Sequence, residues 1–159
     1  LSEENISKIV FFSDNSFLKG GNSMQIAIID GQGGGIGKSL IEKIKASNCN
    51  ARLIALGTNA LATANMLKAG ADDGATGENA IVFNAGRADV IMGAIGIISA
   101  NSMLGELTPA MARAIAESPA PKILIPFNKC HIFITGLSND TLQFHLEAAV
   151  KQLLTHLQD

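Results

Sequence analysis

Residues 25–44 constrain the fold more than any other stretch of this chain. Residues 25–30 (QIAIID) form a β-branched apolar run, five of the next seven residues are glycine, and apolar side chains then recur at 36, 40, 41 and 44. The run reads as a strand and the later spacing as a helix, so the glycines mark a tight strand-to-helix turn. The same unit recurs downstream. Residues 52–56 form a second strand bounded by Gly57, and Thr58 or Asn59 can cap a helix that runs to Lys68 and ends at Gly70. A short edge strand is expected within residues 71–75, a helix over 77–85 capped by Thr76, and a buried strand from Val90 that ends near Gly93 or Gly96. Thr108 followed by Pro109 opens a helix to about Glu117, which Ser118-Pro119-Ala120-Pro121 stops. A strand over 122–127 is expected to turn at Asn128-Lys129 into an antiparallel strand from Cys130 to Thr135. Asp140 or Thr141 then opens a final amphipathic helix to about Leu157. Strands alternating with helices predict a three-layer, doubly wound, mainly parallel α/β sheet, in the order 3-2-1-4-5-6, with an antiparallel C-terminal edge strand.

The chain has 159 residues, enough for one domain, and 47% hydrophobic against 16% charged residues gives it the means to bury a core. Its apolar runs are interrupted by glycine and fall short of the roughly 18 residues a membrane span needs. A net charge of −2, no Trp, no Tyr and only seven Phe argue against a nucleic-acid partner, which needs basic patches or stacking rings. Cys49 and Cys130 lie far apart and match neither a disulfide scaffold nor a zinc site, so a reducing cytoplasm is expected. A domain this small and apolar is expected to hide surface in a homodimer. Residues 1–23 are polar apart from Ile9–Phe12 and carry Glu3 and Glu4 where a secretory signal has basic residues. The break in composition at Met24 predicts either a leader outside the native chain, with translation starting at Met24, or a flexible tail. Residues 24–159 are then expected to form the single domain.

Glycines between a strand and a helix let backbone N–H groups approach an anion, and the helix N-terminus adds about half a positive charge. The candidate binding residues are therefore Asp30, Gly31, Gln32, Gly33, Gly34, Gly35, Ile36 and Gly37. The strict G-x-G-x-x-G motif starts at Gly31 and Gly33 but meets Ile36 where it needs glycine. Gly31, Gly35 and Gly37 instead resemble the G-x-x-x-G-I-G fingerprint of short-chain dehydrogenases, whose catalytic Tyr-x-x-x-Lys has no counterpart in a chain without tyrosine. Gly37-Lys38-Ser39 also resembles the end of a P-loop, with Gln32 in place of its first glycine and no plain Walker B aspartate at a later strand end. A deviant P-loop nucleotide-binding protein is the alternative reading, and a purely structural turn is the third.

Asp30 would repel a pyrophosphate unless a metal or a proton intervened, or it could orient a ribose. The acidic ribose reader usual at the end of the second strand is missing, since that strand ends in Gly57, Thr58 and Asn59. NAD and NADP are thus both open, with Thr58 and Asn59 able to bond ribose or phosphate. Asn101 and Ser102, after the strand expected beside the first, would lie near a nicotinamide or base. Glu106 and Cys130 are the candidate acid, base or nucleophile. Cys130 and His131 are adjacent and would point to opposite faces of a strand.

The stretches IAIIDGQGGGIGK, IALGTNALAT, GATGENAI, ADVIMGAIGIISANSMLGE and ILIPFNKC, between Met24 and about Thr135, together resemble a bacterial family of small Rossmann-type proteins, the domain of unknown function 3842. The resemblance implies NAD(P)-type binding by analogy of fold and assigns no reaction. A small oxidoreductase and a non-catalytic sensor are both compatible with it.

Overall fold

Strand and helix alternate from the first described residue to the last. The computed structural model describes residues 23–127, 131–137 and 140–158. Strands β1 (Gln25–Asp30), β2 (Arg52–Gly57), β3 (Asp73–Thr76), β4 (Val90–Ala94) and β5 (Lys122–Ile125) form one parallel sheet in the order β3-β2-β1-β4-β5. The α-helices are α1 (Gly35–Ala46), α2 (Ala60–Lys68), α3 (Glu78–Ala85), α4 (Pro109–Glu117) and α5 (Leu142–His156), and a 3₁₀ turn at Ile95–Ile98 follows β4. Among the described residues, no helix is long and apolar enough to cross a membrane.

Both faces of the sheet are covered, which is why β1, β2 and β4 read as continuous apolar runs. Successive side chains of β1 go to opposite faces. Ile26 and Ile28 join Leu40, Ile41 and Ile44 of α1 and Leu146, Val150 and Leu153 of α5. Ala27 and Ile29 join Ile81 of α3 and Met111 and Ile115 of α4 on the other face. Ile26, Ile28 and Ile29 are fully buried, each contributing about 1.5–3 kcal/mol of apolar burial. The result is a Rossmann-like three-layer fold with β1 at its centre.

The expected caps hold with one exception. The side chains of Asn59, Thr108 and Thr141 accept from Ala62, Met111 and Phe144 N–H at the starts of α2, α4 and α5. Helix α3 has Gly77 at its N-cap position, with no side-chain cap, in place of the expected Thr76. Thr76 is instead the last residue of β3, and its hydroxyl pairs with that of Thr63 at 2.7 Å.

Among the described residues the expected antiparallel edge strand is not formed, and the sheet has five members instead of six. Residues 131–135 are not a strand, and Asn128, Lys129 and Cys130 lie outside the described residues. His131 has a left-handed backbone (φ 52°), incompatible with an extended ladder, and Pro126, directly after β5, has no N–H to give. The aromatic and β-branched composition of HIFIT favours a strand, but no pairing rewards it, and Phe133 is 86% exposed.

Candidate functional site

Three loops meet at the carboxyl end of the sheet because β1 lies between β2 and β4. They follow β1 (residues 31–34), β2 (58–59) and β4 with its 3₁₀ turn (99–108). Over the first opens a cleft of about 390 Å³, lined by Asp30, Gly31 to Ile36, Ala94, Met103, Phe127 and Leu142. This is where open α/β sheets hold ligands. A larger groove of about 740 Å³ lies between β5 and α5, away from the glycine loop. We assign the site to the smaller cleft because it exposes the glycine turn and the start of α1.

The glycines of the loop divide into two kinds. Gly34 is required by the backbone, with φ 69°, and a Cβ there would lie 2.8 Å from the Ala62 Cα. A Cβ on Gly37 would overlap the Met66 sulfur and approach the Asp30 Cβ to 3.1 Å, while one on Gly31 would lie 2.6 Å from the Met103 Sδ and the Thr58 Oγ1. These glycines let α1, α2 and the β4 loop close around β1. Gly33 and Gly35 differ: neither has positive φ, and a Cβ on either would meet nothing within 4 Å. Their N–H groups have no acceptor among the described residues.

Asp30 lies beneath the loop, 6% exposed. Its Oδ1 accepts from Gly31 N–H at 2.8 Å and its Oδ2 from Gly37 N–H at 2.7 Å, so the carboxylate braces the turn from inside. Burial pushes its pKa above the ordinary carboxylate value and the Glu106 charge adds to this, against the pull of the Gly37, Gly31 and Ile36 N–H groups. The side chain is thus committed to the protein's own backbone.

Glu106 joins the three loops. Its Oε2 accepts from Gln32 N–H at 2.8 Å, from the Thr58 hydroxyl at 2.6 Å and from the Asn59 amide at 2.9 Å. Partial burial alone would raise its pKa, but these three donors outweigh it and hold the carboxyl below its usual value. Asn59 also donates to the Gln32 carbonyl, and Asn65 of α2 to the Gly33 carbonyl, each at 2.9 Å. The segment that carries Glu106 is tightly wound: Asn101, Met103 and Leu104 have φ of 62°, 57° and 58°.

Asn101 and Ser102 serve this winding. Asn101 N–H donates to the Leu107 carbonyl at 2.8 Å, and the Ser102 hydroxyl to the Gly96 carbonyl at 2.6 Å. Met103, the next residue, lines the cleft instead. Lys38, the P-loop lysine in the alternative reading, lies 3.8 Å from Glu42 along α1. Cys130 lies outside the described residues, and His131 is exposed. The contacts of Glu106 with Thr58 and Asn59 span 48 and 47 residues of sequence. No local pattern signals them, and only the strand order 2-1-4 brings the loops together.

No curated protein matches the chain. A family model described as Domain of unknown function (DUF3842) matches residues 25–158, from the first residue of β1 to the turn after α5. The match takes in every strand, the glycine turn and Glu106, and the chain belongs to this family.

Proposed function

We propose that the chain binds a dinucleotide of the NAD(P) type, or another phosphorylated nucleotide, with its phosphates over Gly31–Gly37 and its ribose toward Thr58 and Asn59. One observation carries the reading. The fold accounts for glycine at 31, 34 and 37, but nothing among the described residues requires it at 33 and 35, which line the cleft with N–H groups that meet no acceptor among them. A ligand that must approach the backbone closely supplies the missing reason.

The protein works in the cytoplasm as a small oxidoreductase or as a ligand-dependent sensor. Turnover of NADH or NADPH with pooled carbonyl substrates distinguishes the first role, and nucleotide-dependent capture of a partner without turnover the second. A homodimer accords with the edge of β5, which no strand pairs among the described residues, and with the exposed Phe144 and Ile134 beside it; light scattering at micromolar concentration reads the mass directly.

The primary test is a thermal-shift panel of NAD, NADP, FAD, ATP, GTP and inorganic phosphates on the full chain. A ligand at 100 times its Kd stabilises by about 2.7 kcal/mol, roughly 5 to 11 °C for a domain of this size. The expected result is a shift with a dinucleotide. No shift with any nucleotide refutes the reading, and magnesium-dependent hydrolysis of ATP replaces it with the P-loop reading.

A further inference from the structure

We infer that Glu106 reads the ribose, delivering from the loop after β4 the carboxylate that this chain lacks at the end of β2, and thereby selects a nucleotide with a free 2′-hydroxyl over its 2′-phosphorylated form. The inference rests on the nucleotide reading above.

A ribose diol offers two hydroxyl donors, and a carboxylate at the end of the second strand is the group suited to accept them. Here that strand ends in Gly57, Thr58 and Asn59, which offer no charge. The Glu106 carboxylate nevertheless stands at that strand end, 2.6 Å from the Thr58 hydroxyl and 2.9 Å from the Asn59 amide, and beside the glycine turn through Gln32 N–H. All three donors use Oε2, and among the described residues nothing donates to Oε1. One oxygen therefore fixes the side chain and the other is left to accept from a ligand.

Three further observations bear on the selection. The loop holds three non-glycine residues in the left-handed region to place this side chain, a strain of the sort a functional site retains. The described residues that bond Glu106 are Gln32, Thr58 and Asn59, with no Lys or Arg among them, so a 2′-phosphate at this carboxylate would find no counter-charge from its immediate partners. Arg52, the cation of β2, is at the strand's other end, where it binds Asp73 at 2.7 Å.

The experiment is calorimetric titration of the full chain and of Glu106→Gln with NAD and with NADP. The Gln carbonyl can keep the three protein donors while its amide replaces the accepting oxygen and removes the charge. Wild type is expected to prefer NAD at least tenfold, and Glu106→Gln to bring the ratio to within about threefold of unity by weakening NAD and not NADP. Glu106→Asp, which keeps the charge but withdraws it by one methylene, is expected to weaken NAD while still discriminating against NADP. Circular dichroism melts confirm that each variant is folded. Equal weakening of both ligands makes Glu106 a mere tie between loops, and stronger binding of both makes it an occupant of the ligand's place; either overturns the inference and leaves the nucleotide reading standing. A wild type that prefers NADP does the same. A wild type that binds neither also overturns the inference, and the nucleotide reading falls with it only if the thermal-shift panel shows no nucleotide bound.

Discussion

Alanine at Gly35 and at Gly37 should act in opposite directions on stability, although the two positions are one turn-edge apart. At Gly35 a Cβ meets nothing within 4 Å and the backbone is not left-handed. The substitution removes freedom from the unfolded chain without straining the folded one, a gain of about 0.4–1 kcal/mol. At Gly37 the Cβ would overlap the Met66 sulfur and lie 3.0 Å from its Cγ and 3.1 Å from the Asp30 Cβ. Overpacking of this kind costs about 1–3 kcal/mol, and alanine's better helix propensity returns up to about 1 kcal/mol. Because Met66 is flexible the net loss should be near the low end, about 1 kcal/mol. Urea unfolding and thermal melts of the two variants measure both effects, with Tm moving roughly 2–4 °C per kcal/mol. Ligand binding should reverse the ranking of damage at Gly35: Gly35→Val, folded and no less stable than wild type by more than about 0.5 kcal/mol, should lose the nucleotide-induced shift. Destabilisation by Gly35→Ala above 1 kcal/mol would show that the loop itself needs this glycine. An undiminished nucleotide shift in Gly35→Val would mean that no ligand passes over it.

Asp30 should give an inverted pH dependence. Its folded pKa is raised above an unfolded value of about 3.9, so its favourable contribution is complete below the unfolded value and is lost as pH rises through the folded one. The stability of wild type relative to Asp30→Asn, followed by urea unfolding from pH 4 to pH 7, should therefore decline with rising pH, and a rising difference would contradict the burial argument. Leu153→Ala removes a fully buried side chain of α5 that packs with α1 against β1. It should cost about 2–5 kcal/mol in the same assay, and a loss below 1 kcal/mol would mean that α5 is not docked on the sheet.

The sequence by itself determined the alternation of strands and helices, the position of the glycine turn and three of the caps, because each depends on residues within a few positions of one another. QIAIID has nowhere to go but a buried strand, and Thr108-Pro109 marks a helix start whatever lies around it. Locality also explains the failures. HIFIT has the composition of a strand, but a strand exists only when a neighbour supplies its hydrogen bonds, and His131 sits in the left-handed region, which an extended ladder does not accept. The site was half legible: the glycine loop was visible, while its division into glycines the packing needs and glycines it does not depends on what lies opposite each Cβ. Tertiary structure alone decided that Asp30 faces inward to brace the turn and that Glu106 stands at the end of β2. Both placements follow from strand order, which sets β1 between β2 and β4 and so gathers three loops that the chain keeps tens of residues apart.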